Sequence, residues 1–200
     1  MSMLSNLDLI RRVPLFAMLT PAQAESLAGA VTKKRFKRGE FLVEQGKNCE
    51  SLFIILAGRA RVVVTDRRDR EVILATMHAG DYVGEMSLID QEPHSASVEA
   101  EVQTDALVLE GAEFTRCLLE NTSTVSAVMR GLVQRLRSAD RKIESLALMN
   151  VYGRVANVLM EAAPADENNV RIIRDKISRQ DIAKMVGASR EMVSRVMKDF

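Results

Sequence analysis

Seven apolar residues, Val125, Met129, Leu132, Leu136, Ala139, Ile143 and Leu146, follow one another at spacings of 4-3-4-3-4-3. An α-helix puts such a series on one face, and a stripe this narrow is buried by another helix. A helix packed on its own domain needs a broader apolar face, yet Arg135, Arg137, Arg141 and Lys142 flank the seam. The spacing predicts a long dimerisation helix whose partner is a second copy of the chain.

Ahead of it the chain reads as β structure. Phe41 to Val43, Leu52 to Leu56, Val62 to Val64 and Val72 to Leu74 are short β-rich runs. Gly39, Gly46, Gly58 and the polar turn Asp66 to Asp69 punctuate them. A short helical break at Glu85–Ile89 precedes a half-buried strand in which Val98, Ala100 and Val102 alternate with Glu99 and Glu101. Eight or so short antiparallel strands suggest a jelly roll or barrel. Two helical pieces come first, Leu7–Val13 before Pro14, and a second from Thr20-Pro21 to about Ala30. Past the seam, Ala163 to Asn169 reads as a loop, Val170–Ile173 as a short strand, and two helices run to Phe200. The expected class is α+β: a barrel sensor over 1–112, a dimerisation helix over 113–149 and a helix-turn-helix over 150–200.

Charge separates these parts more sharply than composition does. With 47% hydrophobic and 28% charged residues the chain is ordinary for a globular protein. No window approaches the length of a membrane span, and the start lacks a cationic stretch followed by an apolar one. The cytoplasm is therefore the expected compartment, with no membrane partner. Cys49 and Cys117, without a CxxC spacing, fit a reducing compartment and point to ordinary thiols, with no metal site. The net charge of +1 conceals ten acids against one base between Asp81 and Glu120. Between Arg171 and Phe200 eight bases stand against four acids. The C-terminal end suits a polyanion.

Ser178-Arg179-Gln180-Asp181 has the form of a capping box, and Ile182, Ala183, Met185 and Val186 form a buried face behind it. Gly187 permits a sharp turn and Ser189 caps a second helix. There Met192, Val193, Val196 and Met197 point one way, and Arg190, Glu191, Ser194, Arg195 and Lys198 the other. An arginine can bond guanine O6 and N7 with two prongs, and a glutamate can accept from cytosine N4. This is a helix-turn-helix built for the major groove, in place of a hairpin with a merely solvated charged face.

The run Gln180 to Ala183, Gly187, and Ser189 to Arg195 resembles the signature of the CRP/FNR family, the catabolite-activator-like regulators, and the resemblance extends over essentially the whole chain. It implies that Arg190, Glu191 and Arg195 read bases, with Ser178, Arg179, Gln180, Ser194 and Lys198 completing the DNA contact. It further implies a homodimer on double-stranded DNA at a TGTGA-like inverted repeat, half-sites about one helical turn apart, and RNA polymerase as a partner. Members of the family continue into a β-hairpin wing, a stretch that lies past Phe200.

Gly80 to Leu88 and then Pro93 to Ala96 resemble the family's phosphate-binding cassette. The resemblance assigns Gly84, Glu85, Met86, Ser87, His94, Ser95 and Ala96 to a ligand, with backbone N–H groups at the start of the short helix as an anion site. The family's Glu holds a ribose hydroxyl and its Arg the cyclic phosphate. Here His94 stands at the Arg position, a shorter ring largely neutral at pH 7. The family's adenine-touching Thr and Ser fall on Ala139 and Asp140. Three readings stay open: a vestigial cassette in a ligand-independent regulator, cyclic AMP held with a charged His94, or cyclic di-GMP with Asp140 and Arg137 or Arg141 on the guanine edge. Either ligand would act allosterically.

An enzyme is not expected: there is no HxxEH metal spacing, GxSxG elbow or P-loop pattern. A nucleotide-binding regulatory subunit acting on a protein partner is the rival. His78 reads as a surface histidine, the run Lys33 to Arg38 as a solvated strand edge, and the methionines as core filler.

Overall fold

The computed structural model describes residues 5–48, 50–163, 171–173 and 177–200. Expectations that rest on Met1–Leu4, Cys49, the loop over 164–169, Val170, Arg174 and Lys176 lie outside these residues. Arg171–Ile173 shows no strand beyond a single bridge at Arg171.

Helices α1 (Asn6–Ile10) and α2 (Pro21–Ala30) flank a 3-10 turn at Pro14–Phe16. Each begins with a reciprocal capping box, Ser5 with Asp8 and Thr20 with Gln23, so the orphan N–H groups of the first turn are satisfied by neighbours in sequence. The expected end of the first helix at Val13 comes earlier, because the turn takes over ahead of Pro14.

Eight described strands follow: β1 (Val31–Phe36), β2 (Phe41–Val43), β3 (Ser51–Ala57), β4 (Ala60–Thr65), β5 (Glu71–Met77), β6 (Tyr82–Val83), β7 (Ser97–Ala100) and β8 (Thr104–Glu110). They form two four-stranded sheets, ordered β1-β8-β3-β6 and β2-β7-β4-β5. β8 lies between β1 and β3, antiparallel to both. The short helix α3 (Glu85–Asp90) interrupts the strands before β7.

The alternation along β3 and β8 explains how the two sheets are held. Leu52, Ile54, Leu107 and Leu109 join a core with Ile10, Phe16, Leu27 and Phe114. Phe53, Ile55 and Ala106, on the opposite face, join Phe36, Leu42, Val98 and Ala100 between the sheets. Both central strands are thus apolar on both faces, with helices over one and the second sheet over the other. Burying one such leucine contributes roughly 1.5–3 kcal/mol.

The stretch expected as one helix over 113–149 is two, α4 (Gly111–Glu120) and α5 (Thr122–Leu148). Asn121, in extended conformation, makes the break. Its side-chain amide donates to the Cys117 carbonyl at 3.0 Å, closing α4. Its own carbonyl accepts from Thr124 and Val125, opening α5. Heptad spacing carries no sign of this, since the seam begins only at Val125.

The chain divides into two compact units, Met1–Arg70 with Leu74–Val133, and Glu71–Ile73 with Gln134–Phe200. In the first, α5 lays Thr124 and Val128 into the helix-covered core, and a Cβ at Gly131 would overlap the Tyr82 hydroxyl. In the second, α6 (Val151–Ala162), α7 (Arg179–Val186) and α8 (Arg190–Asp199) close on Val155, Ile182, Ala183, Val186, Val193 and Val196. Among the described residues no helix is long and apolar enough to cross a membrane.

Candidate nucleic-acid interface

The corner between α7 and α8 is set residue by residue. The Ser178 hydroxyl accepts from the Asp181 N–H at 3.0 Å and donates to the Asp181 carboxylate at 2.6 Å. Gly187 ends α7 in the left-handed region, φ 64, where a side chain would be strained. The Ser189 hydroxyl then accepts from Met192 N–H at 3.2 Å and starts α8. Val193 and Val196, fully buried, fix the rotation of α8 and leave the opposite face outward.

That outward face, with the start of α7, lines an open depression of about 480 Å³. Its walls are Arg179, Arg190, Glu191, Ser194, Arg195 and Lys198, four cations around one acid. The Glu191 carboxyl is held below its ordinary pKa by its own backbone N–H and the Ser189 hydroxyl, with Arg190 adding to the effect. It is therefore ionised at neutral pH and offers an acceptor among donors. Ser178 and Gln180, expected in the same contact, are exposed but stand outside this lining. The Ser178 hydroxyl caps α7.

Two features of this unit escaped the sequence. Arg154, on α6, donates through Nε to the Val186 carbonyl at 2.9 Å and through a terminal nitrogen to the Met149 carbonyl at 2.9 Å. One guanidinium thus joins the end of α7, beside the turn, to the segment between α5 and α6. Tyr152 donates its hydroxyl to Asp199 and meets the Phe200 ring edge-on, tying the end of α8 to α6. The available signal was a lone arginine within the apolar stripe Val151, Val155 and Val158.

In the first unit, Gly84 takes φ 104 and leads into α3, where Glu85 and Ser87 are buried and Met86 is exposed. His94 is buried too, and its Nδ1 lies 3.2 Å from the Ser87 hydroxyl. Burial pushes the imidazole below its ordinary pKa. Ser95 is exposed and Ala96 half-buried. A buried carboxylate such as that of Glu85 suits hydroxyl donors, which a ribose has. Fit to the phosphate is poorer, because burial disfavours a positive charge on the His94 ring. His78 is exposed.

Arg137, Ala139 and Asp140 are exposed on α5 and belong to the second unit, the cassette to the first. Of the seam, Val125 and Leu132 are half-buried, and Leu132 leans on the chain's own core. Met129, Leu136, Ile143 and Leu146 remain 56–63% exposed. Such a row of large apolar side chains on one helix calls for a partner.

Comparison with known proteins bears on both units. Residues 33–121 match the model of the cyclic nucleotide-binding domain, and 176–200 that of bacterial regulatory proteins of the crp family. The chain is 31% identical over 174 residues to the cAMP-activated global transcriptional regulator Vfr of Pseudomonas aeruginosa, covering 84% of this chain and 81% of that one. It is 30% identical over 160 residues to the cAMP-activated global transcriptional regulator CRP of Salmonella typhimurium, covering 78% and 76%. Among solved structures, the c-di-GMP-responsive global regulator CLP of Xanthomonas campestris superposes with a TM-score of 0.75 at 23% identity, covering 86% of each chain.

Proposed function

The chain belongs to the CRP/FNR family, and from that premise we propose a homodimer that reads a TGTGA-like inverted repeat through α8. It is a transcription regulator with a cyclic-nucleotide-binding-type barrel, and its relatives are regulators, not enzymes. The observation that carries the finer reading is the depression on α8, where Arg190, Arg195 and Lys198 surround an ionised Glu191 on a helix locked by its caps. Arg190 and Arg195 are the donors for guanine, Glu191 the acceptor for cytosine, and Arg179 and Lys198 face phosphates. The exposed seam of α5 supports pairing with a second copy, which would present the same edge twice.

The barrel is the regulatory half in this reading, and its ligand a cyclic nucleotide. Cyclic AMP and cyclic di-GMP are the two to weigh, since the relatives' names carry one or the other. Glu85, Ser87, His94 and Ser95 would hold it. The ligand shifts the regulator only by its differential affinity for the DNA-competent arrangement. RNA polymerase is the further partner this role implies, with action in the cytoplasm.

Fluorescence anisotropy with a duplex bearing the inverted repeat, against a scrambled duplex, tests the reading. Affinity for the repeat should exceed that for the scrambled DNA by about a thousandfold or more at moderate salt, and both should weaken steeply as salt rises. Equal affinity for the two duplexes would sink it.

A further inference from the structure

The cassette departs from a permanently charged phosphate site at one position. His94 lies between the 44–47 turn and α3. Gly46 N–H donates to its carbonyl and its own N–H donates to the Lys47 carbonyl, while the ring faces Ser87 on α3. The ring is therefore held inside the cassette by backbone bonds on one side and a side-chain bond on the other.

The arginines at the β4–β7 pairing already have partners. Arg61 on β4 bonds Glu99 on β7 at 3.0 Å, and Arg59, just before β4, bonds Glu101, just after β7, at 2.8 Å. At six residues α3 is too short to serve as an anion site on its own. An anion brought to this place needs a positive charge that the resting arrangement does not supply.

We propose that His94 is the phosphate-holding residue of this barrel, leaving Ser87 and taking up one proton as a cyclic nucleotide binds. This rests on the reading that the barrel takes such a ligand. The charged groups on the surrounding elements are Glu85 and Asp90 on α3, Glu92 on the loop before His94, and Lys47, whose ammonium pairs with Glu44 at 2.8 Å. Burial, and none of these, is what lowers the pKa of the ring. A phosphate beside the ring reverses the balance, because an adjacent anion favours the charged imidazole. The free state then holds fewer protons than the complex, so binding tightens as pH falls.

Isothermal titration of the full chain with cyclic AMP, and separately with cyclic di-GMP, tests this between about pH 6 and pH 8. Buffers of different ionisation enthalpy report the proton count. The expected result, for whichever nucleotide binds, is uptake of about one proton per site and a Kd that falls by close to tenfold per pH unit where uptake is complete. His94→Arg should bind more tightly, with no proton uptake and little pH dependence. His94→Gln should bind weakly and with no pH dependence, its melting temperature confirming that it folds. A wild-type Kd indifferent to pH, or no heat with either nucleotide at any pH, overturns the proposal. Anisotropy on the same samples separates the two readings: loss of sequence preference on DNA with proton uptake intact strikes the regulator, not the histidine.

Discussion

Arg195 lies one turn beyond Glu191 in the α8 depression, while Lys198 stands at the far end of the same face. Arg195→Ala should weaken binding to the inverted repeat by ~1–3 kcal/mol per half-site and leave random DNA almost unaffected. Lys198→Ala should weaken both alike and lower the salt slope by about one. Equal losses from Arg195→Ala on both duplexes would make it a phosphate contact. His94 carries a different prediction, for stability. Its folded-state pKa is depressed, so the unfolded chain binds the proton more readily, and stability present above the unfolded value is lost as pH falls below it. Thermal melts from about pH 8 down to pH 5 should show this decline, reduced in His94→Gln; an identical decline in the variant would assign it to other groups. At this scale the sequence was legible where spacing dictates direction: Arg190, Glu191, Ser194, Arg195 and Lys198 share a face because α8 turns every 3.6 residues. It was ambiguous at Ser178, since the same hydroxyl suits a cap or a phosphate. Arg154 showed only as a charge within an apolar stripe, because its two carbonyl partners lie 5 and 32 residues away along the chain.

Elements bounded by caps and breakers were easier to find than elements defined by distant pairing. Thr20-Pro21 and Ser189 start helices where their side chains accept the expected bonds. β8 carries no strand signal of its own in the sequence, although its register with β1 and β3 holds the first sheet together. Its run Ala106 to Leu109 is apolar without alternation, as befits a strand covered on both faces, and such a run has no period to distinguish strand from helix. The break at Asn121 was hidden for a related reason, since the side-chain bond that makes it replaces a backbone bond without disturbing the apolar pattern. The turn at Gly187 gives the sharpest element-level test. Gly187→Ala puts a Cβ in the left-handed region at a cost of roughly 1–2 kcal/mol. Urea unfolding with a probe in α6–α8 should show an unfolding free energy lower by that amount and an earlier midpoint, and DNA affinity should fall with it. An unchanged midpoint would mean that the corner does not depend on that conformation.

The molecule's two compact units each have their own core, and α5 begins in one and ends in the other. Its outer row, Met129, Leu136, Ile143 and Leu146, leaves four large apolar side chains exposed along one helix. Replacing Leu136 and Ile143 together with glutamate puts like charges along the seam. Light scattering should then report a monomer, with the wild type a dimer; a dimeric double variant would place the contact elsewhere. Dimerisation and base reading meet in one measurement, hydroxyl-radical footprinting of the wild-type chain on a duplex with the inverted repeat. Two equivalent protected stretches, centred about one helical turn apart and related by the two-fold axis of the site, are expected. A single asymmetric stretch, or protection that spreads over the duplex regardless of sequence, would contradict a regulator that reads DNA with paired α8 helices.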